Sequence, residues 1–345
     1  MTLRLDNTPL PWHVERWQQA ATLFKSGVAG HAYMFCGEPD TGKRHFATLL
    51  AQFLLCRHPL AKAACAECSV CLLNAAGNNP DLLTVVPEEG SKQIKVEQIR
   101  ELRQFLETRS HGFGKRIVIL DTAESLGISS ANAMLKGLEE PPQDVIFLLI
   151  SDRPKAVLAT ISSRTQVFRL PRPERSDVLA WLLSSGATQS AADLEMVIDL
   201  AQGRPFVARA ILESGIASQL QEIGDALLAV AQGIDYPVAV ASRYSKSQSA
   251  EFLNVLLYWL SELSKHRLTG AATMLKDQSL RAAAALLRPA DSDGNSDTST
   301  QTLALLRLYS EVATAQGQMI GSSNPNMQLM LEDILLEMRR IFIPG

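Results

Sequence analysis

The sequence predicts an α/β protein: a parallel-sheet domain built around a phosphate-binding loop, followed by a chain that is helical to its end. Three observations carry that expectation. Five short apolar runs alternate with segments of helical period up to about residue 170. The first run leads straight into a glycine loop, "GEPDTGKR" (37–44), and then into a helix. Beyond "LPRPERSD" (170–177) only helical patterning remains.

Taken in order, "HAYMFC" (31–36) reads as a short buried strand. The segment after the glycine loop has Phe46, Leu49, Leu50, Phe53 and Leu54 on one helical face. A cysteine-rich stretch separates it from a second strand, "LLTVV" (82–86), and from a helix, "VEQIRELRQFLETR" (96–109), whose apolar face is Val96, Ile99, Leu102 and Leu106. "RIVILD" (116–121) makes a third strand. The helix through "ANAMLKGLEE" (131–140) must stop at Pro141-Pro142, because proline lacks an amide proton and disfavours helix in the residue before it. "VIFLLIS" (145–151) and "QVFRL" (166–170) complete the set. Continuously apolar strands of this kind belong to a parallel sheet covered on both faces.

The prolines of "LPRPERSD" mark a hinge. The expected organisation is a domain over 1–170, a small helical unit over 171–213, and longer helices over 214–345. "RPADSDGNSDTSTQ" (288–301) reads as a flexible polar loop. It is no calcium loop, since Gly294 and Thr302 stand at the wrong places for a twelve-residue ligand ring. The last helix carries a stripe of Met327, Met330, Leu331, Ile334, Leu335 and Met338, which is expected in the core.

With 46% hydrophobic and 20% charged residues, the 345-residue chain has the balance of an ordinary globular protein. A net charge of −3 excludes a chain-wide electrostatic footprint for nucleic acid. The N-terminus, "MTLRLDNTPLPW", lacks the basic and then apolar regions of a signal peptide, and no run approaches the ~18 apolar residues of a membrane span. A cytoplasmic location is the expectation.

The glycine loop supplies Gly37, Gly42 and Lys43, whose amides and ammonium would cradle phosphate at a helix N-terminus. Magnesium is normally held by a Ser or Thr after that lysine together with an Asp on a neighbouring strand. Here Arg44 takes the hydroxyl's place. "IVILDTAE" (117–124) looks like the strand that ends on such an aspartate, Asp121, but Thr122 follows where a water-activating Glu belongs. Glu124, two residues on, points elsewhere at a strand end. The surviving glycines and lysine leave ATP or ADP binding open, while hydrolysis lacks two parts.

Cys56, Cys65, Cys68 and Cys71 give C-x8-C-x2-C-x2-C, a spacing suited to a closed tetrahedral zinc site of four thiolates. An iron–sulfur cluster fits the C-x2-C-x2-C part, but the fourth cysteine lies upstream and no Cys-Pro follows. A site closed by four sulfurs has no position for substrate, so its role is structural. His58 is not needed as a ligand. Cys36, in a strand, is expected to be a small buried residue.

"HAYMFCGEPDTGKR", the cysteine insertion, "NPDLLTVVPEEG", "ANAMLKGLEEPP" and "SSRTQVF" stand in the order found in bacterial clamp loaders of the replicative DNA polymerase, in the AAA+ superfamily, which the chain resembles over residues ~10–215. Within that family it is most similar to the delta-prime branch, the non-hydrolysing end-pieces of a ring. The resemblance implies an AAA+ sheet domain with a zinc-binding insertion (56–71), a helical lid and a helical collar. It implies partners of delta and gamma/tau type in a hetero-pentamer, with the sliding clamp and primed DNA met through the assembly. "SSR" matches the family's S-R-C motif at Ser163 and Arg164, with Thr165 for the cysteine, and makes Arg164 an arginine finger offered to a neighbour's ATP. "GRPF" (203–206) ends in Phe206 where active relatives carry an arginine. The competing reading is an ATPase motor of gamma type, which would need an unconventional magnesium site and base.

Overall fold

The computed structural model describes residues 7–343 apart from 27–28, 89, 92, 109, 111–113, 143, 188–190, 214–215, 247, 270–274, 276–277, 288–295 and 321–325. The described chain divides into two compact units. One runs to Ser185 and includes Arg204–Phe206; the other comprises Gly186–Gly203 and the residues from Val207 onward.

The first unit is the sheet domain. Its strands are β1 (Ala32–Cys36), β2 (Leu82–Val85), β3 (Arg116–Asp121), β4 (Val145–Ser151) and β5 (Gln166–Arg169), in the order β2-β3-β4-β1-β5. All pairings are parallel. The pleat sends alternate side chains to opposite faces, so each apolar strand feeds two cores. Tyr33, Phe35, Ile117, Ile119, Leu148 and Ile150 meet Trp17 and Phe24 of α1 (Val14–Lys25) and Phe46, Leu50 and Phe53 of α2 (Lys43–Leu55). Met34, Val118, Leu120, Phe147 and Leu149 meet Ile99 and Leu102 of α4 (Val96–Glu107) and Met134 and Leu138 of α5 (Ile128–Glu139). The cysteine insertion contributes α3 (Ser69–Ala75), and α6 (Ala159–Ser162) precedes β5. The α/β expectation holds strand by strand.

Strand order positions the site. The chain leaves β1 for β2 on one side and reaches β5 on the other, so the connections diverge above β1. The segments leaving β1, β3 and β4 therefore open along one edge of the sheet, and they carry the glycine loop, Asp121 and Asp152 respectively. The unit ends with α7 (Arg175–Ser184).

The second unit is helical: α8 (Ala191–Leu200), the rest of α9 (Pro205–Glu213), α10 (Ile216–Ala231), α11 (Pro237–Tyr244), α12 (Ser249–Thr269), α13 (Gln278–Leu286), α14 (Ser296–Ile320) and α15 (Met327–Phe342). In α15 the expected stripe is buried at Leu331, Ile334, Leu335 and Met338, whereas Met327 and Met330 are half-buried near its start. The polar loop expected over 288–301 needs correction. Residues 296–301 open α14; Ser, Thr and Asp as residue types suit a helix start as well as a loop, because their oxygens can accept from the free amides there and the macrodipole favours negative charge. Residues 288–295 lie outside the described ones. No helix among the described residues is long and apolar enough to cross a membrane.

Candidate functional site

The glycine loop has the backbone of a phosphate site. Gly42, with φ +96°, caps α2 in the left-handed region, and a Cβ on Gly37 would stand 3.0 Å from the Leu170 carbonyl oxygen. Both glycines are thus needed by geometry. Its cations, however, are already matched within the chain. Lys43 is 3% exposed; its Nζ lies 2.6 Å from Asp152 Oδ1 and also donates to the Glu38 carbonyl. Arg44, which follows Lys43 where the sequence pattern calls for a hydroxyl, donates from Nε to Oδ2 of Asp121. Burial pushes the Asp121 carboxyl up in pKa, and the Arg44 charge and hydrogen bond oppose that. These groups line a cavity of about 540 Å³ that also touches Asp40, Thr122 and Phe206.

Apolar groups close over the loop. A Cβ on Gly42 would lie 2.3 Å from Leu10 Cδ1 and 2.9 Å from Phe206 Cε2, so both side chains press on its α-carbon. The Phe206 amide donates to the Asp40 carbonyl at 3.1 Å. The Trp12 indole donates to the Thr41 carbonyl at 2.9 Å. Trp181 packs against both rings, edge-on to Trp12 and tilted to Phe206, with centroids 5.6 Å apart in each case. Phe206, the last residue of "GRPF", thus packs an aromatic ring on the loop.

Two polar side chains follow Asp121 closely in the chain, Thr122 and Glu124. Thr122 Oγ1 shares a 2.7 Å hydrogen bond with Ser125 Oγ. Glu124 Oε1 accepts the amides of Asp152 at 3.0 Å and Arg153 at 3.1 Å, which ties it to the segment after β4.

The four cysteines converge. Their sulfurs all lie within 4.8 Å of one another, with Cys65–Cys71 at 3.8 Å and Cys56–Cys71 at 3.6 Å. A tetrahedron of ~2.3 Å zinc–sulfur bonds has sulfur–sulfur edges of ~3.8 Å. The donor set and its spacing fit zinc. The Cys65 amide donates to Cys56 Sγ and the Cys68 amide to Cys65 Sγ, at 3.3 and 3.4 Å, which favours thiolates. Burial opposes ionisation of Cys68, but amide bonds from Arg57 and Cys71 bring its pKa down to about 6. Burial raises those of Cys56 and Cys71. His58 is exposed, and Cys36 is buried at 3%, its thiol donating to the Met34 carbonyl within its own strand.

Arg164 lies elsewhere. It precedes β5, whereas the glycine loop follows β1, and the two strands pair in parallel from Tyr33↔Gln166 to Cys36↔Arg169. Arg164 stands before the start of β5, whose three steps from Gln166 to Arg169 span ~10 Å at ~3.3 Å per residue, and the glycine loop follows the far end of β1, so the two lie toward opposite ends of the paired strands. The guanidinium is held there by Glu139, with Nε to Oε1 at 2.9 Å, and by the Thr160 carbonyl, with Nη1 at 2.9 Å.

The sequence of this chain is similar to known ones. The family described as DNA polymerase III, delta subunit, matches residues 12–174. The DNA polymerase III subunit delta' of Escherichia coli (strain K12) is 28% identical over 97% of this chain and 96% of its own length. That of Pseudomonas aeruginosa is 38% identical, over 60% of this chain and 64% of its own length. The chain belongs to the delta-prime family of DNA polymerase III clamp-loader subunits. A DNA polymerase III gamma subunit-related protein from Thermotoga maritima aligns with TM-score 0.41 at 20% identity, over 93% of this chain and 99% of that one; the fold assignment rests on the sheet described above.

In this delta-prime chain the structure brings Gly37, Gly42, Lys43 and Asp121 together and sets Arg164 apart. Sequence reasoning missed Asp152, Leu10 and Trp12. Asp152 had a legible mark, an acidic residue directly after an apolar strand in a sheet of this kind. Leu10 and Trp12 had none, since their position depends on where α1 starts.

Proposed function

We propose that this delta-prime chain is a non-hydrolysing subunit of a clamp loader in the cytoplasm, closing a hetero-pentameric ring with delta- and gamma/tau-type subunits that places the sliding clamp on primed DNA. Its own engine is disabled at three points: Lys43 is matched by Asp152, Arg44 replaces the magnesium ligand, and Thr122 replaces the base. Its contribution to ATP turnover is Arg164, lent to the nucleotide of the adjacent subunit. Residues 171–213 act as the lid and 214–345 as the collar, and the four cysteines hold a structural zinc that staples the insertion to the sheet domain.

The observation that carries this reading is the placement of Arg164 at the sheet edge remote from the chain's own loop. An arginine there is remote from a nucleotide on its own loop, which supports a role toward a nucleotide held by another chain. Offered in trans, it neutralises charge developing on the γ-phosphate, an effect worth ~10³–10⁵ in rate. The test is Arg164→Ala in the reconstituted ring: assembly is retained and ATP turnover falls by orders of magnitude. Turnover at the wild-type rate removes the proposal, as does hydrolysis by the isolated zinc-loaded chain that Lys43→Ala abolishes.

A further inference from the structure

We propose that Glu139 is the positioning residue of Arg164, fixing the guanidinium in the pose from which it meets a neighbour's γ-phosphate; the inference rests on the finger reading above. Two donors of Arg164, Nε and Nη2, converge on one oxygen, Oε1 of Glu139. Nη1 spans the Thr160 carbonyl at 2.9 Å and Ser163 Oγ at 3.2 Å. Four of the five guanidinium protons are thereby directed from two separate elements, and one Nη2 proton has no acceptor among the described residues.

This is more than a surface ion pair. An isolated exposed pair leaves both side chains free to rotate and contributes little. Here the arginine side chain is 34% exposed and held on both flanks. The acceptor itself is fixed. Glu139 is the last residue of α5, and Pro141-Pro142 end that helix directly beyond it. Ser163 and Thr165 fix the other flank, where the Arg164 amide donates to the Ile161 carbonyl at 3.1 Å and Thr165 Oγ1 to the Ser162 carbonyl at 3.1 Å. "LKGLEEPP" and "SSR", far apart in sequence, thus form one device: the first supplies the acceptor and the second the donor.

Positioning is what a finger requires. A long side chain that must find its pose at each turnover forfeits the advantage of preorganised charge, and a misplacement of about 1 Å can cost ~10²-fold in rate. The expected consequence is a loss in kcat with the KM for ATP unchanged, because the arginine acts on the transition state rather than on ground-state binding.

The experiment compares Glu139→Ala, Glu139→Gln, Arg164→Ala and the double variant Glu139→Ala/Arg164→Ala in the reconstituted ring, with assembly followed by gel filtration. Glu139 is 47% exposed, so its replacement leaves the fold intact. Glu139→Ala lowers kcat about tenfold or more at constant KM. Glu139→Gln keeps an oxygen for both donors and restores most of the rate. The double variant is no slower than Arg164→Ala, as expected of two residues acting through one group. If Arg164→Ala slows turnover while Glu139→Ala runs at or above the wild-type rate, Glu139 does not position the finger and this inference falls alone. If Arg164→Ala itself turns over normally, the finger reading falls and takes this one with it.

Discussion

The Lys43–Asp152 pair makes a sharp asymmetry measurable. Lys43 is 3% exposed, while Asp152, its partner at 2.6 Å, keeps 34% of its side chain in solvent. Asp152→Ala leaves a buried ammonium with the Glu38 carbonyl as its remaining described partner, and stranding a buried charge costs about 3 kcal/mol. Lys43→Met removes the buried charge and leaves a carboxylate that water can reach; the cost is about 1 kcal/mol or less. The double variant Lys43→Met/Asp152→Ala lies closer to the lysine variant than to the sum, giving a coupling of about 2 kcal/mol in a double-mutant cycle. Urea denaturation of the isolated chain reads all four corners, provided the slope with denaturant stays constant. The same material tests the site directly: magnesium-ATP leaves the wild-type melting temperature unchanged, because Asp152 already holds Lys43. Equal costs for the two single variants, or a wild-type melting temperature that climbs with magnesium-ATP, would refute the idea that the lysine is sealed.

Three further outcomes follow from the geometry. Gly42→Ala forces a side chain into left-handed backbone and onto Leu10 and Phe206, costing about 2–4 kcal/mol, while Gly77→Ala, with φ +69° and nothing within 4 Å of its Cβ, costs about 1 kcal/mol in the same denaturation assay. Purified chain carries one zinc by elemental analysis; Cys68→Ser loses it, and chelation lowers the melting temperature. His13 is buried and its pKa is lowered to about 3, first by desolvation and then by His45 and Lys43. A folded-state pKa below the unfolded value means stability is present near neutrality and lost as pH falls from 6.5 toward 3. For this group the loss reaches ~2 kcal/mol by pH 5 at 1.36 kcal/mol per unit, and His13→Phe flattens that part of the stability curve.

Much of this protein is written locally. Alternating apolar strands and helical stripes define the sheet domain because each strand's periodicity answers to its own two faces. "GEPDTGKR" and the cysteine spacing declare their chemistry within a few residues, since a tight turn or a four-sulfur cluster is built from neighbours in sequence. The polar run misled over 296–301 for the same reason: Ser, Asp and Thr serve equally in a loop or at a helix start, and composition cannot choose between them.

What tertiary structure decided is how the distant charges are matched. Lys43 and Asp152, Arg44 and Asp121, and Arg164 and Glu139 pair across strands whose order in the sheet is not their order in the chain. A sequence shows that Arg44 cannot bind magnesium; only the placement of β3 relative to β1 shows that it binds Asp121 instead. Phe206 reads from sequence as an arginine lost, and from structure as a ring packed on the loop. The same parallel register puts Arg164 at the sheet edge away from its own loop, because a residue entering one strand and a residue leaving its parallel neighbour must stand at opposite ends.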